Sequence, residues 1–150
     1  MMSDRRLGIA IAVLGFIGLG IATYLTHIHY AELDPICSTG GCERVQNSEW
    51  SKFVGIPVPL LGLIGWIGIL GSLLIPGDIG RALTALLTLF GFGFSVYLTD
   101  LEVITIKAIC QWCVANGVLT TIVAVLSVWR LLAYTPPALR SPPGAVDQNE

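Results

Sequence analysis

The only four cysteines of this 150-residue chain fall in two close pairs, "CSTGGC" from Cys37 to Cys42 and "CQWC" from Cys110 to Cys113. Two sulfurs spaced C-x-x-C on the first turn of a helix can close a disulfide. A helix N-terminus also favours the thiolate, through its partial positive charge and unpaired N–H groups. The thiolate is the species that attacks disulfides. The first pair encloses Gly40 and Gly41, whose freedom permits a tight ring and lets a sulfur swing toward another partner. Two inert staples would stabilise little, because each ring closes only a few residues. A four-thiolate zinc site tolerates both spacings, but one pair opens an apolar segment and no soluble knuckle surrounds it; no metal is expected. A thiol–disulfide relay accounts for the pattern better than either. Asp100 and Glu102 precede the second pair and would oppose a lowered thiol pKa if they lay close.

The elements that position these cysteines read as membrane helices. Hydrophobic residues make up 54% of the chain and charged ones 12%, against roughly 25% in a soluble domain. Four apolar runs stand out: Leu7 to about Thr26, Ile56 to Ile75, Ala82 to Thr99 and Val114 to Tyr134. Each approaches the ~20 residues that cross ~30 Å of hydrocarbon, and only Arg130, free to snorkel near the end of the fourth, interrupts them with a charge. The expected fold is an all-α membrane protein, a four-transmembrane-helix bundle with a long outer loop between helices 1 and 2. The first run follows Arg5-Arg6 but is too long for a signal peptide and lacks a small-x-small cleavage site. Residues 1–134 are expected to form the bundle. The stretch 135–150, with Pro136, Pro137, Pro142 and Pro143, reads as a disordered cytoplasmic tail.

With both termini cytoplasmic, Arg5, Arg6, Arg81, Arg130 and Arg140 lie inside and Arg44, Lys52 and Lys107 outside, as the positive-inside rule prefers. Both cysteine pairs then face the oxidising side of a plasma (inner) membrane. The turn Pro76 to Gly80 makes a tight hairpin of the second and third helices. In the long loop, Trp50, Phe53 and Val54 at i, i+3 and i+4 predict a short helix with one apolar side. Gly62, Gly65, Gly68 and Gly71 suit close helix packing. Trp66, Trp112 and Trp129 suit aromatic belts at bundle ends or walls, and His27 and His29 an interfacial position. Lipid is one partner; no nucleic acid is expected.

The order C-x4-C, Arg44-Val45, Ser48, Trp50, "GIP" at Gly55 to Pro57, Gly62 and C-x-x-C resembles the vitamin K epoxide reductase family in its prokaryotic form. The resemblance runs from the first helix to about residue 134. It implies four membrane helices around a quinone of ubiquinone, menaquinone or vitamin K type, with the C-x-x-C pair beside it. It also implies a thioredoxin-like partner, here a separate disulfide oxidoreductase, that feeds electrons to the loop cysteines. On this resemblance Cys37 meets the partner, Cys42 exchanges with Cys110, Cys113 faces the quinone, and Ser48 supports activity. The net reaction would drive disulfide formation in secreted proteins. The chain departs from the family in three places. Many prokaryotic members carry a fifth helix and a fused thioredoxin-like domain, and this sequence stops after four apolar runs. Animal members have a tyrosine where this chain has Gly117, and an asparagine early in the second helix near Val58. Quinone oxygens must then meet other groups, with Asn116 the nearest candidate and Trp112 able to touch the ring. A non-catalytic four-helix scaffold with disulfide-stabilised loops is the alternative reading.

Overall fold

The structure, a computed structural model, describes residues 3–134; the stretch 135–150, with Arg140 and the expected tail, lies outside them. Helix α1 spans Asp4–Ala31 and ends at Glu32 in the left-handed conformation. A single turn, α2, covers Cys42–Gln46. Helix α3 runs Val58–Ser72, with Pro57 and Pro59 at its start, where a missing N–H costs nothing. Helix α4 runs Gly77–Asp100 and continues through Leu101–Ile106 as a wider π-helical segment. Helix α5 spans Gln111–Tyr134.

Among the described residues, three helices are long and apolar enough to cross a membrane: α1, α4 with its π extension, and α5. Four such helices are expected from the sequence, and the second run is the one that falls short. Its helix has 15 residues, about 22 Å at ~1.5 Å per residue. Beyond Ser72 the chain tightens into i→i+3 turns, with Leu73, Leu74 and Ile75 donating to Leu70, Gly71 and Ser72.

The four apolar helices close a ring in which α1 packs on α3 and α5, and α4 on the same two. Ile11, Ala22, Trp66, Ile69 and Val123 form the centre. Phe16, Phe90, Val125 and Leu132 point outward, which suits a lipid-facing wall because lipid tails are as apolar as the core. Trp66 is no belt residue. It is 3% exposed and lies so close to Gly18 that a Cβ there would approach the indole within 2.3 Å. A glycine on α1 thus makes room for the largest side chain of α3. Of the α3 glycines, Gly62 and Gly68 are in ordinary contact with Ala22 and Leu87, while Gly65 and Gly71 face open space. Only half of that series serves packing.

Charges tie one end of the ring. The Asp4 carboxylate accepts from Arg130 Nε (2.7 Å) and Arg81 Nη2 (3.3 Å), and Arg81 also reaches Asp78 and the Tyr134 carbonyl. The start of α1, the start of α4 and the end of α5 meet there, so the opposite end receives the long loop and the start of α5. The expected amphipathic helix around Trp50 is absent. Glu49–Ser51 is a 3-10 turn, and Lys52–Phe53 pairs antiparallel with Ile56–Pro57. The two-residue turn between them, Val54-Gly55, has positive φ at both positions (53° and 84°), the hairpin geometry whose twist matches its strands. Trp50, Phe53 and Val54 are all exposed, and Phe53 meets Phe94 edge-on at 5.7 Å.

Candidate active site

The C-x-x-C pair sits where α5 begins. The Val114 N–H donates to the Cys110 carbonyl (3.0 Å), so Cys110 is the residue that caps the helix and Cys113 is its third helical position. An N-cap side chain accepts the free N–H groups of the first turn. Here the acceptor is a sulfur. The Cys113 S–H donated to it, with the backbone N–H groups of Trp112 and Cys113, holds the Cys110 thiol below its ordinary pKa, against the opposing effect of burial. Both thiols are free; Cys110 is 0% exposed and Cys113 half-buried.

Cys37 and Cys42 are joined by a disulfide. That ring is seated on the start of α5 by a set of polar bonds. Ser38 N–H donates to Gln111 Oε1 (3.0 Å), Thr39 Oγ1 to the Ile109 carbonyl (3.0 Å), and Trp112 Nε1 to the Ile36 carbonyl (2.8 Å). Gly41 touches the Ile109 backbone so closely that a Cβ would come within 2.4 Å of its carbonyl oxygen. Gly41 and Ile109 directly precede Cys42 and Cys110, so this contact brings the two pairs side by side. Cys42 is 0% exposed, like Cys110, while Cys37 is half-buried.

Trp112 is anchored away from the helix mouth: besides its bond to Ile36 it packs on Tyr24 at 5.1 Å between ring centres. Ser48 is near the loop but bonded elsewhere. Among the described residues its hydroxyl donates to the Val45 carbonyl (2.8 Å) and to no sulfur. It lines an open groove of about 1220 Å³ with Thr39, Arg44, Lys107 and Ile109. Asn116 lies one turn beyond Cys113, and its Oδ1 accepts Trp66 Nε1 (2.9 Å). An indole N–H can only donate, so this bond fixes which end of the amide is oxygen and turns the NH2 elsewhere. Ser95 of α4 faces Gly117; a Cβ at Gly117 would lie 2.8 Å from its Oγ. Any side chain at that position would first have to displace the Ser95 hydroxyl.

Glu102 is the residue that sequence reasoning left unplaced. The π segment turns it inward to 5% exposure. Its carboxylate accepts the Cys110 N–H (3.2 Å) and lies beside the Cys113 thiol. Its carbonyl accepts from the Lys107 and Ala108 N–H groups. The available signal was the position of an acid eight residues before a cysteine in an otherwise apolar stretch. A straight α-helix gives no reason for that acid to face inward, and the π turn was not foreseen.

Two neighbouring cysteine pairs, one on a loop and one at the mouth of a membrane-length helix, form the redox-capable centre of this fold. The model of the vitamin K epoxide reductase family matches residues 9–128, a span that contains most of α1, the disulfide loop, α3, α4 and both members of the C-x-x-C pair. The chain belongs to the vitamin K epoxide reductase family.

Proposed function

We propose that this protein is a membrane thiol:quinone oxidoreductase that oxidises a separate thioredoxin-like protein and drives disulfide formation in secreted proteins. Membership of the family makes it a membrane thiol–disulfide oxidoreductase with a quinone-type acceptor. The observation that carries the finer reading is the graded burial of the four cysteines, whose pairs the Gly41–Ile109 contact brings side by side: Cys37 and Cys113 are partly exposed, and Cys42 and Cys110 are buried. Electrons then have one route. A partner thiolate attacks Cys37 and frees Cys42. Cys42 attacks Cys110 and releases Cys113 as a thiolate. The partner's second thiol attacks the bond to Cys37 and leaves with its own disulfide closed; the freed Cys37 then attacks Cys42, restoring the loop disulfide and leaving the Cys110/Cys113 dithiol. Each transfer passes through a mixed disulfide. The helix N-terminus favours negative charge on sulfur when the pair opens.

A quinone bound beside Cys113 would accept two electrons from the dithiol as its disulfide closes, together with two protons. The residues fit such a ligand. Cys113 has an open side, the Asn116 NH2 has no protein partner among the described residues, and the Ser95 hydroxyl takes the place in front of Gly117. Asn116 and Ser95 would hold the quinone oxygens by donated hydrogen bonds, in place of the tyrosine and asparagine that the resemblance supplies elsewhere. Trp112, tied to Tyr24 and Ile36, orients the loop, and Ser48 borders the groove that receives the partner.

In the proposed topology α3 is the fourth crossing, both cysteine pairs face outward across the plasma (inner) membrane, and the Asp4–Arg81–Arg130 cluster lies on the cytoplasmic side. A membrane-impermeant thiol reagent should label Cys37 in intact, reduced cells; labelling only after lysis would invert this arrangement. The reaction itself is tested with purified protein, a reduced thioredoxin-like substrate and a quinone, replacing each cysteine in turn. Turnover should vanish in all four variants. Equal activity in all of them would leave a scaffold rather than an enzyme.

A further inference from the structure

The buried Glu102 carboxylate accepts the Cys110 N–H at 3.2 Å and lies beside the Cys113 thiol. We infer that Glu102 is the proton carrier of the C-x-x-C pair, a catalytic residue that protonates Cys113 when the Cys110–Cys113 disulfide opens and takes that proton back when it closes.

Position argues for this over a capping role alone. A carboxylate that served only as a cap would need the Cys110 N–H and nothing more. Glu102 is instead enclosed at 5% exposure on the start of the C-x-x-C pair, beside the thiol that leaves. The other charged groups on the elements packed against the π segment are Asp100, which is exposed, and Glu43, Arg44 and Lys107, which line the open groove beside Val103. None of them makes a hydrogen bond or ion pair with Glu102 among the described residues. The thiols are therefore its direct chemical neighbours. The widened π turn supplies the reach, and such turns recur at functional sites because they re-aim a side chain within a helix.

The step balances. On opening, the Cys42 thiolate forms a bond to Cys110 and the Cys110–Cys113 bond breaks. Cys113 leaves with the electron pair, and Glu102 in its acid form supplies the proton. On closing, Cys113 returns that proton to the carboxylate as its sulfur bonds to Cys110 and two electrons depart to the quinone-class acceptor. Glu102 ends as it began: the partner's dithiol releases two protons to water, one of them returns on Cys110 and passes to the acceptor with the two electrons, and the acceptor takes its second proton from water. The inference rests on the reading of Cys110/Cys113 as a pair that opens and closes, but not on where the quinone binds.

The test therefore omits quinone and partner. In a Cys37→Ala/Cys42→Ala background, the Cys110–Cys113 disulfide is opened with dithiothreitol and the rate followed against pH. Glu102→Gln keeps the shape and an acceptor for the Cys110 N–H but cannot carry a proton. It should slow opening at least about tenfold, within the usual range for general acid catalysis, and change the pH profile. Glu102→Asp should recover part of the rate, as should added formate. A Glu102→Gln rate and profile equal to the parent would overturn the proposal. Should Glu102→Gln fail to fold, infrared difference spectra of the parent decide. The protonated-carboxyl band should be lost on opening and regained on closing, and a flat carboxyl region would sink the idea. A parent pair that neither opens nor closes would remove the redox reading and Glu102 with it; a cycling parent with an indifferent variant would remove Glu102 alone.

Discussion

The two ends of the helix ring each gather polar groups from several elements, and they do so with opposite results. At one end Asp4, Arg81 and Arg130 satisfy one another through ion pairs of 2.7 and 3.3 Å. With Asp78 on Arg81 as the second acid, two carboxylates meet two guanidiniums, and the cluster holds α1, α4 and α5 together. At the other end Glu102 faces thiols rather than a cation, the Cys110 sulfur caps a helix, and a disulfide loop leans on that cap. Groups that complete each other's charge become structure. Groups left with exchangeable protons and sulfurs remain able to do chemistry.

That contrast breaks most sharply at the cysteines. Cys42→Ala should reduce partner-driven quinone reduction at least about a hundredfold, while dithiothreitol, which can reach the C-x-x-C pair directly, should still support turnover. If both electron donors fail equally, the loop pair is not the link between partner and C-x-x-C. Cys37→Ala removes the thiol that resolves the Cys42–Cys110 bond. With a cleavage site engineered into the Pro76 to Gly80 turn, the two halves of that variant should stay joined on a non-reducing gel and separate with reductant.

A second, smaller effect concerns the contact between the pairs. Gly41→Ala places a Cβ 2.4 Å from the Ile109 carbonyl oxygen, so the ring must lift. Partner-driven turnover should drop about tenfold, since misplacement of about 1 Å is costly in catalysis, with thermal stability of the bundle nearly unchanged. An Ala variant with full activity would detach loop seating from function.

The Cys110 thiol should form its thiolate at lower pH than an ordinary cysteine, whose pKa is about 8.5. The sign follows from its partners: donors to sulfur stabilise the charged form, so reaction with a small neutral thiol reagent should rise and level off at lower pH. Cys113→Ala removes the first of those donors and should move the midpoint upward, as read by mass spectrometry of the labelled peptide. Trp66→Phe frees the Asn116 amide to rotate and should raise the quinone KM about fivefold, the equivalent of about 1 kcal/mol. The smallest effect on chemistry belongs to the far end. Asp4→Asn should lower stability by about 1–2 kcal/mol through two weakened charged hydrogen bonds, measured by thermal unfolding in detergent, and leave thiol turnover intact.

Much of this arrangement was legible in the sequence because its signals are local. Apolar length gave α1, α4 and α5, and the C-x-x-C spacing at the edge of the last run placed both sulfurs at a helix mouth. The misreadings share a cause: they depend on which neighbour a side chain meets. Trp66 looked like a belt residue until Gly18 opened a slot for it. Trp50, Phe53 and Val54 have helical spacing, yet Val54-Gly55 makes a hairpin turn instead. Asn116 was foreseen near Cys113 without its tie to Trp66, and Ser95 was not foreseen at all. Glu102 was visible only as an acid nearby, because its burial requires a change of helical pitch that no residue pattern announces.

The anchoring of Ile36 has a kinetic consequence. Its N–H donates to the Tyr24 hydroxyl, and its carbonyl accepts from Trp112 and Gln111. Both polar groups of the residue before Cys37 are therefore moored to the bundle. When the ring opens, the freed sulfurs trail on a tether whose other end begins α2 at Cys42. Six residues span at most about 20 Å even when stretched, and so short a leash gives a local concentration on the order of millimolar or above. A small thiol from solution must compete with that standing excess, so on the proposed route the order of electron transfer is protected by proximity as well as by burial.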